Sequence, residues 1–337
     1  MKTIVLLFNQ RHICPDPNDP RSQLEADFDD PETTYWQIKH LKKLGYRVIP
    51  IEANEKAYFK LHRLRKKIDL VFNVAEGIYG FDREAQMPAI LEMLQIPYLG
   101  SRPLTEAIIL DKAKTKEILI ANKIPTLKFQ VIKNVKEKLI KDLSFPLIVK
   151  PIAQGSSAGI TNDSVVDNFS KLYKKIEQLI RVFNQPVLVE PFLKGREFSV
   201  AMMGNPPKIL PIIEPNHKIL PKNYLPFDSL EVKWYFEENE ESKNYLQCPA
   251  IIEGKLEKKL KKICLATWEA LQIRDWCRID IKCDDEENPY VLEVNSPPGI
   301  IPPEVSLTSY FPLAARASGI DYDELLKQLI EIALKRY

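Results

Sequence analysis

Residues 276–295 read WCRIDIKCDDEENPYVLEVN, two largely apolar runs on either side of an acidic turn. This pattern predicts a hairpin of two antiparallel strands. Arg278 and Asp280 lie two positions apart, as do Glu293 and Asn295, so each pair lies on one face of its strand. If the strands pair, an arginine, two carboxylates and an amide oxygen meet on one patch. Such hard oxygen ligands suit Mg²⁺, which proteins hold with one or two carboxylates beside phosphate oxygens.

The segment after the hairpin favours a binding site over its alternative, a strand face with surface ion pairs. Residues 296–303 read SPPGIIPP. Proline fixes the backbone, so this segment stops the strand directly after Asn295 in a rigid loop. Loops held by a rigid scaffold are common places for functional residues.

Residues 147–160, LIVKPIAQGSSAGI, predict a strand that ends at Lys150 and a small-residue loop at residues 155–159. Backbone N–H groups of such a loop can surround phosphate oxygens, and the lysine adds positive charge. The usual phosphate motifs, G-x-x-x-x-G-K-[ST] and G-x-G-x-x-G, are absent, so the loop alone fits an ordinary strand and turn better. A second lysine, Lys112 in LDKAKTK, and the strand VLVE, which ends at Glu190, together shift the balance toward a phosphate site.

Strands and helices alternate over about the first hundred residues, which predicts a parallel α/β domain. The predicted strands there include residues 4–8, 46–53, 68–74 and 96–101, and the helices include residues 31–43 and 84–94. Further strands are predicted at residues 129–132, 145–150, 186–190, 197–203 and 209–214, and helices at residues 111–122, 169–183, 255–271 and 323–335. The short connection after residue 203 predicts antiparallel pairing of the strands on either side of it.

Composition excludes several classes of protein. The 337 residues suffice for two or three domains, and 48 basic against 46 acidic residues give no reason to expect nucleic-acid binding. Five scattered cysteines without a C-x-x-C pair indicate reduced thiols, not disulfides or zinc. The apolar start, MKTIVLLF, is too short for a signal peptide, and no run is long enough for a membrane span. We therefore expect a cytoplasmic protein without nucleic-acid or membrane partners.

Taken together, the motifs resemble the ATP-grasp superfamily and, within it, the D-alanine–D-alanine ligases. The resemblance runs from about residue 69 to the C-terminus. It is carried by REAQMPAILEMLQIPYLGS, LDKAKTK, FPLIVKPIAQGSSAGI, VLVEPFLKGREFSVAMMG, RIDIKCD and YVLEVNSPPG. It implies an α/β, three-domain ATP-grasp fold: a parallel α/β N-terminal domain (1–103), and central (104–190) and C-terminal (191–337) α+β domains that clasp ATP, the last with the metal site and a lid.

The resemblance assigns most of these segments to ATP. The residues concerned are Lys112, Lys150, Gly155, Ser156, Ser157, Glu190, Phe192, Leu193, Glu197, Lys233 and Trp234. The lysines and the loop serines would hold the phosphates. Glu190 and the backbone of Phe192 and Leu193 would meet the adenine, and Glu197 the ribose.

The implied reaction forms an amide in two steps. A substrate carboxylate takes the γ-phosphoryl group of ATP, and an amine then attacks the acyl phosphate. Two Mg²⁺ ions, with Mn²⁺ as an alternative, would be held by Asp280, Glu293 and Asn295. Arg278 and the Gly299 backbone would stabilise the oxyanion, and Ser156 is a third catalytic candidate. Because water would hydrolyse an acyl phosphate, a lid is expected, at residues 222–243.

The first substrate pocket departs from these ligases, which carry a Gly-Gly-x-Ser-x-Glu-Arg-x-x-Ser stretch whose glutamate helps hold the first amino acid's ammonium. Here residues 9–32 read NQRHICPDPNDPRSQLEADFDDPE, and that glutamate has no clear counterpart. Glu76 precedes Gly77 where the ligases usually have His-Gly. We therefore expect the ammonium partner to be Glu76 or one of the acidic residues Glu25, Asp27, Asp29 and Asp30.

Two further departures concern the lid and the second substrate. Lys233 and Trp234 stand where the ligases have Lys-Tyr, and tryptophan has no oxygen to offer. Residues 296–312, SPPGIIPPEVSLTSYFP, exceed the usual length of the loop that meets the second substrate's carboxylate. Ser309 matches the recognition serine if the insertion precedes it, and Ser306 is the alternative. The predicted substrate residues are thus Glu76, Arg278 and Ser309.

Small amino acids or amines are the expected substrates, with D-alanine first by resemblance. One alternative is an ATP-grasp ligase for another amino acid, a peptide or a non-peptidic amine. The other is a non-catalytic nucleotide-binding homologue, against which the intact set of lysines and metal ligands argues. Dimers are usual among the relatives, so a homodimer is compatible with the resemblance.

Overall fold

The computed structural model describes residues 1–237, 242 and 244–337. Its strands are β1 (Thr3–Phe8), β2 (Arg47–Glu52), β3 (Leu70–Asn73), β4 (Gln130–Ile132), β5 (Leu147–Pro151), β6 (Val165–Val166), β7 (Val187–Pro191), β8 (Glu197–Met203), β9 (Lys208–Ile209), β10 (Glu214–Pro215), β11 (Leu246–Gln247), β12 (Trp276–Cys283) and β13 (Pro289–Asn295). Its α-helices are α1 (Pro31–Lys43), α2 (Ala57–Leu64), α3 (Arg83–Met93), α4 (Pro103–Leu110), α5 (Lys112–Ala121), α6 (Phe169–Phe183), α7 (Gly254–Leu271), α8 (Tyr310–Ala317) and α9 (Tyr322–Leu334).

The N-terminal part contains a parallel sheet in the order β2-β1-β3, as the sequence predicts. All six residues of the central strand β1 are buried, which explains its continuous apolar run. Helix α1 begins at Pro31, where the missing N–H costs nothing, and the chain turns at Gly45 with a φ of +84°. This part carries its own core on one face of the sheet, while the other face packs with α8 and α9.

Two antiparallel four-stranded sheets form the rest of the scaffold. Their strand orders are β4-β7-β5-β6 and β13-β12-β8-β9. In the hairpin of β12 and β13, Arg278 lies opposite Asn295 and Asp280 opposite Glu293. The register shifts directly after Asp280. The predicted patch of polar side chains therefore forms on one sheet face.

Each antiparallel sheet is covered by one long helix. On α6, Leu172, Ile176, Leu179 and Phe183 recur every three or four residues and are buried against the sheet that contains β5. Burial of each such side chain contributes about 1.5–3 kcal/mol. Helix α7 covers the sheet that contains β12 in the same way.

Two strand predictions need correction. The strand expected at residues 96–101 is only a bridge between Tyr98 and Val71. The strand expected at residues 209–214 is divided between β9 and β10, because Pro211 has no N–H to continue the ladder. Helices α4 and α8 were not predicted, although Pro103 at the start of α4 is a typical first-turn residue. No helix among the described residues is long and apolar enough to span a membrane.

Candidate active site

A cavity of about 60 Å³ lies between the two antiparallel sheets. Its walls come from β5, β7, β8, β12 and β13 and the segments that follow them. The predicted site residues that line it are Lys150, Ser157, Glu190, Phe192, Leu193, Glu197, Lys233, Asp280 and Glu293. Lys150 from one sheet and Asp280 and Glu293 from the other therefore face a common cleft.

Glu190 lies between two lysines at the wall of this cleft. Its Oε1 is 2.8 Å from Lys150 Nζ, and its Oε2 is 2.8 Å from Lys116 Nζ. Burial alone would raise the pKa of Glu190, but Lys116 and Lys150 outweigh it and lower that pKa. Lys116 was not predicted, although it follows Lys112 by four residues and so lies on the same helix face. Lys150 is held at the cleft by a buried, ionised carboxylate.

Asp280 is the centre of the hydrogen bonds on the hairpin. It accepts from Ser199 Oγ at 2.6 Å, from Arg278 Nε and Nη2 at 3.1 and 2.8 Å, and from Asn295 Nδ2 at 3.0 Å. These contacts fix the carboxylate on the face of the sheet that lines the cleft. With Glu293 beside it, the cluster offers hard oxygen donors only, which is the ligand set that suits Mg²⁺.

Glu293 is ionised at neutral pH because cations surround it. Burial raises its pKa, but Lys112, Lys233 and Lys150 bring it down to about 2. The Lys112 ammonium is 3.4 Å from Glu293 Oε2 and also donates to the carbonyl of Gln154. Lys112 therefore contacts both Glu293, a candidate metal ligand, and Gln154, which directly precedes the glycine loop.

The far end of the cleft contains further charged groups. Lys282 Nζ is 2.8 Å from Glu197 Oε2 and donates to the Pro226 carbonyl at 2.8 Å. His217 Nε2 lies 3.2 Å from Asp228 Oδ1 and 3.8 Å from Glu197. Neither Lys282 nor His217 was assigned to the site, although the alternation in RIDIK places the lysine on the face of the metal candidates.

The glycine loop is in contact with the predicted lid. Ser156 and Ser157 have φ angles of 47° and 59°, a left-handed conformation that costs on the order of 1–3 kcal/mol per residue. Trp234 Nε1 donates to the Ser156 carbonyl at 3.3 Å, and Ser157 Oγ donates to the Asp228 carbonyl at 2.9 Å. Residues 222–237 therefore cover the loop. Of the lid predicted at residues 222–243, residues 238–241 and 243 lie outside the described part.

The first loop, residues 9–30, packs on the glycine loop from the other side. Asp27 Oδ2 accepts from the Gly155 amide at 3.2 Å and from Arg83 Nη2 at 2.7 Å. Gln23 Oε1 accepts from the Gly159 amide at 2.8 Å. A Cβ added at Gly155 would lie 2.5 Å from Asp27 Oδ1, so only glycine fits this approach.

A second cavity of about 270 Å³ adjoins the first, and Lys233 and Glu293 line both. The predicted residues along it are Glu76, Lys112, Gly155, Ser156, Lys233, Trp234, Arg278, Glu293, Asn295, Gly299 and Ser309. Every residue predicted for the nucleotide, the metal and the substrates thus lines one of the two cavities, and of the alternative ammonium partners only Glu25 lines neither. Ser306 lines the second cavity as well, so the choice between it and Ser309 stays a prediction.

The acidic residues proposed as ammonium partners differ in their surroundings. Asp27 is paired with Arg83, Asp30 with Arg11, and Glu25 accepts from the His12 amide. Glu76 lines the second cavity, and burial, together with Glu84 and Asp27, raises its pKa well above the usual range. Burial also raises the pKa of Asp29 to about 7.

The chain is similar to known proteins over most of its length. The family model "D-ala D-ala ligase C-terminus" matches residues 118–331. The uncharacterized protein y4sG of Sinorhizobium fredii is 33% identical over 307 residues, which are 89% of this chain and 87% of that protein. The D-alanine–D-alanine ligase of Pelotomaculum thermopropionicum is 31% identical over 306 residues, which are 88% of this chain and 89% of that ligase.

A solved structure gives the same result for the fold. The D-alanine–D-alanine ligase of Bacillus anthracis, in a crystal structure complexed with ATP, superposes with a TM-score of 0.73. The identity is 26%, and the superposition covers 99% of this chain and 98% of that one.

Proposed function

Because the chain belongs to the D-alanine–D-alanine ligase family and is an ATP-dependent, amide-forming ligase with the ATP-grasp fold, we propose that it joins two small amino acids, with D-alanine first among them. The observation that carries this proposal is the pair of adjoining cavities. The first brings Lys150 to the carboxylates Asp280 and Glu293, and the second extends from Glu293 to Glu76. We place the domain boundaries at residues 103 and 190, and propose a cytoplasmic enzyme that forms a homodimer.

The first step converts the substrate carboxylate into an acyl donor. A carboxylate oxygen attacks the γ-phosphorus of ATP, the bond from that phosphorus to the bridging oxygen breaks, and ADP leaves. We assign the phosphates to Lys112, Lys150 and the amides of residues 155–157, with Glu190, Phe192 and Leu193 at the adenine. Because the step brings anions together, the lysines lower its barrier by balancing charge in a site that excludes water.

The oxygen donors on the hairpin fit Mg²⁺. Asp280 and Glu293 supply carboxylates, and Glu293 keeps its charge because its pKa is about 2. The Asn295 amide nitrogen donates to Asp280, so its oxygen is not used in that contact. We propose that these three residues hold two Mg²⁺ ions, with Mn²⁺ as a substitute, which when bound would neutralise phosphate charge.

The second step forms the amide. The amine nitrogen attacks the acyl carbon, the nitrogen loses a proton, and phosphate leaves with the former carboxylate oxygen. We assign the developing oxyanion to Arg278 and the Gly299 backbone, both on the wall of the second cavity. Arg278 is oriented for this role by two hydrogen bonds to Asp280. Ser309 is proposed to meet the second substrate's carboxylate, and Glu76 the first substrate's ammonium.

A screen of acid and amine pairs for ADP release tests this function. The expected result is ADP release that requires Mg²⁺ and both substrates, with one amide formed per ADP in mass spectra. Binding of ATP and Mg²⁺ without turnover of any pair would instead support a non-catalytic nucleotide-binding protein.

The first-substrate pocket supports a second candidate, a ligase for a different amino acid or amine. Glu76 and Trp234 replace the histidine and tyrosine expected from the resemblance, and both line the second cavity. The lysines and carboxylates proposed for the phosphates and the metal follow the family pattern, so the departures concern the lid and the substrates. Ranking kcat/KM for D-alanine against its L-isomer, larger amino acids and simple amines separates the two candidates.

A further inference from the structure

One end of the second cavity holds two carboxyl groups from neighbouring segments. Glu76 lies in the loop after β3, and Glu84 lies in the first turn of α3 with only 9% of its surface exposed. Both line the same cavity, Glu76 half-buried and Glu84 buried, and the proximity of Glu84 contributes to the raised pKa of Glu76. Two carboxyl groups beside each other in such a site resist double ionisation unless a cation is near, so the pair favours a state with one proton.

The nearby cations are engaged elsewhere. Arg83 precedes Glu84 in the sequence. Its guanidinium donates to Asp27 Oδ2 at 2.7 Å and to the Ala153 carbonyl. Lys112 donates to the Gln154 carbonyl and lies 3.4 Å from Glu293. Within the described part of the chain, no lysine, arginine or histidine forms an ion pair with either carboxyl group. Arg83 and Lys112 therefore act on the pair only from beyond ion-pair distance, and the pair faces a cavity.

Burial, together with the neighbouring carboxylates, favours a proton on the pair near neutral pH. The charged groups that face it are Asp27, Arg83, Lys112 and Glu106. Burial is the largest effect and raises the pKa of Glu84 to about 7 and that of Glu76 well above its usual range. An ammonium group that enters the cavity would supply a cation at ion-pair distance and release the proton.

We propose that Glu84 is a further substrate-binding residue, which with Glu76 forms a two-carboxylate pocket for a primary ammonium group of the amino acid that becomes phosphorylated. This inference rests on the proposed function for the identity of that substrate. A primary ammonium has three N–H donors and reaches both carboxylates. Each N-methyl group removes one donor, and a hydroxy acid brings no positive charge. The pocket therefore selects primary amino acids over N-methyl, N,N-dimethyl and 2-hydroxy analogues, in that order.

Steady-state kinetics on Glu84→Gln test the pocket. Loss of a charge-assisted hydrogen bond predicts a KM for the first amino acid about 10- to 100-fold higher, with the KM for ATP unchanged. The preference for primary over N-methyl substrate should shrink, and Glu84→Asp should recover part of it. Glu177→Gln, on the exposed face of α6, is the matched control. An unchanged KM and unchanged preference in Glu84→Gln would overturn the proposal.

Calorimetry on the unaltered protein gives a test that needs no variant. D-alanine, or the best acid from the screen, is titrated into protein with a non-hydrolysable ATP analogue at pH 6.5, in two buffers of different ionisation enthalpy. Release of a substantial fraction of a proton per bound amino acid supports the pocket, and binding without release contradicts it. Because this measures binding only, it can succeed where turnover fails, so failure of the pocket and failure of the function are distinguishable.

Discussion

Replacing Lys116 with methionine tests how the cleft holds its cations. The side chain is 1% exposed, and its Nζ lies 2.8 Å from Glu190 Oε2 and donates to Thr126 Oγ1 at 3.0 Å. Methionine has a similar length and fills most of the same space without a charge. The substitution therefore removes one of the two cations beside Glu190 while it leaves the packing nearly intact.

The size of the effect follows from the contact that remains. Removing one partner of a buried ion pair costs about 3–5 kcal/mol when the other charge is left uncompensated. Glu190 keeps Lys150 at 2.8 Å, so we expect the smaller loss of one charge-assisted hydrogen bond, about 1–3 kcal/mol in the free energy of unfolding. Lys150 then becomes the sole counterion of Glu190 and is less available to phosphate. We expect the KM for ATP to rise about tenfold, equivalent to about 1.4 kcal/mol.

Urea unfolding and ATP kinetics measure both effects. Lys114→Met is the matched control, because Lys114 lies on the same helix and pairs with Glu117 at the exposed surface. We expect it to change neither quantity, since exposed ion pairs contribute little. The double variant with Glu190→Gln should recover part of the lost stability. If Lys116→Met resembled Lys114→Met in both measurements, the two-lysine explanation of the cleft would be refuted.

Asp280→Asn removes an anionic donor from the proposed metal site, so we expect kcat to fall about 10²–10³-fold and the Mg²⁺ requirement to rise in ADP-release assays. A variant with unchanged Mg²⁺ dependence would place the metal elsewhere. Gly155→Ala puts a methyl group 2.5 Å from Asp27 Oδ1, so we expect kcat/KM for ATP to fall about tenfold. Unchanged kinetics would mean that the first loop and the glycine loop separate during turnover. Trp234→Phe loses the hydrogen bond to the Ser156 carbonyl but keeps an aromatic ring. Loss of about 1 kcal/mol predicts that kcat falls about fivefold. A fall larger than about 100-fold would show that the indole ring itself contributes to catalysis.

Much of the scaffold was predictable because its signals are local. The two-residue spacing predicted that Arg278, Asp280, Glu293 and Asn295 share one face of the hairpin, and α6 begins and ends at the predicted residues. Alternation assigns strand residues to a sheet face, and apolar residues every three or four positions assign the buried face of a helix. The residues proposed for the metal lie on this hairpin, so the local pattern was enough to predict that they converge.

The contacts around the proposed substrate pocket were not predictable in the same way, because they join segments that are distant in the sequence. The bond from Gly155 to Asp27 spans 128 residues, and no periodic pattern marks it. Glu84 looked like an ordinary residue of a helix face until the fold brought it beside Glu76 in the cavity. Pairings of this kind depend on how domains and loops pack, which propensity and spacing do not encode.

The contact between the first loop and the glycine loop has a thermodynamic consequence. Asp27 and Gln23 bond to the backbone of residues 155 and 159, so ordering either segment restrains the other. If the first loop binds the acid and the glycine loop binds the triphosphate, as proposed, the two affinities are linked, and each ligand changes the affinity for the other by the same factor. A substitution in the first loop that alters acid specificity would then also alter the affinity for the nucleotide.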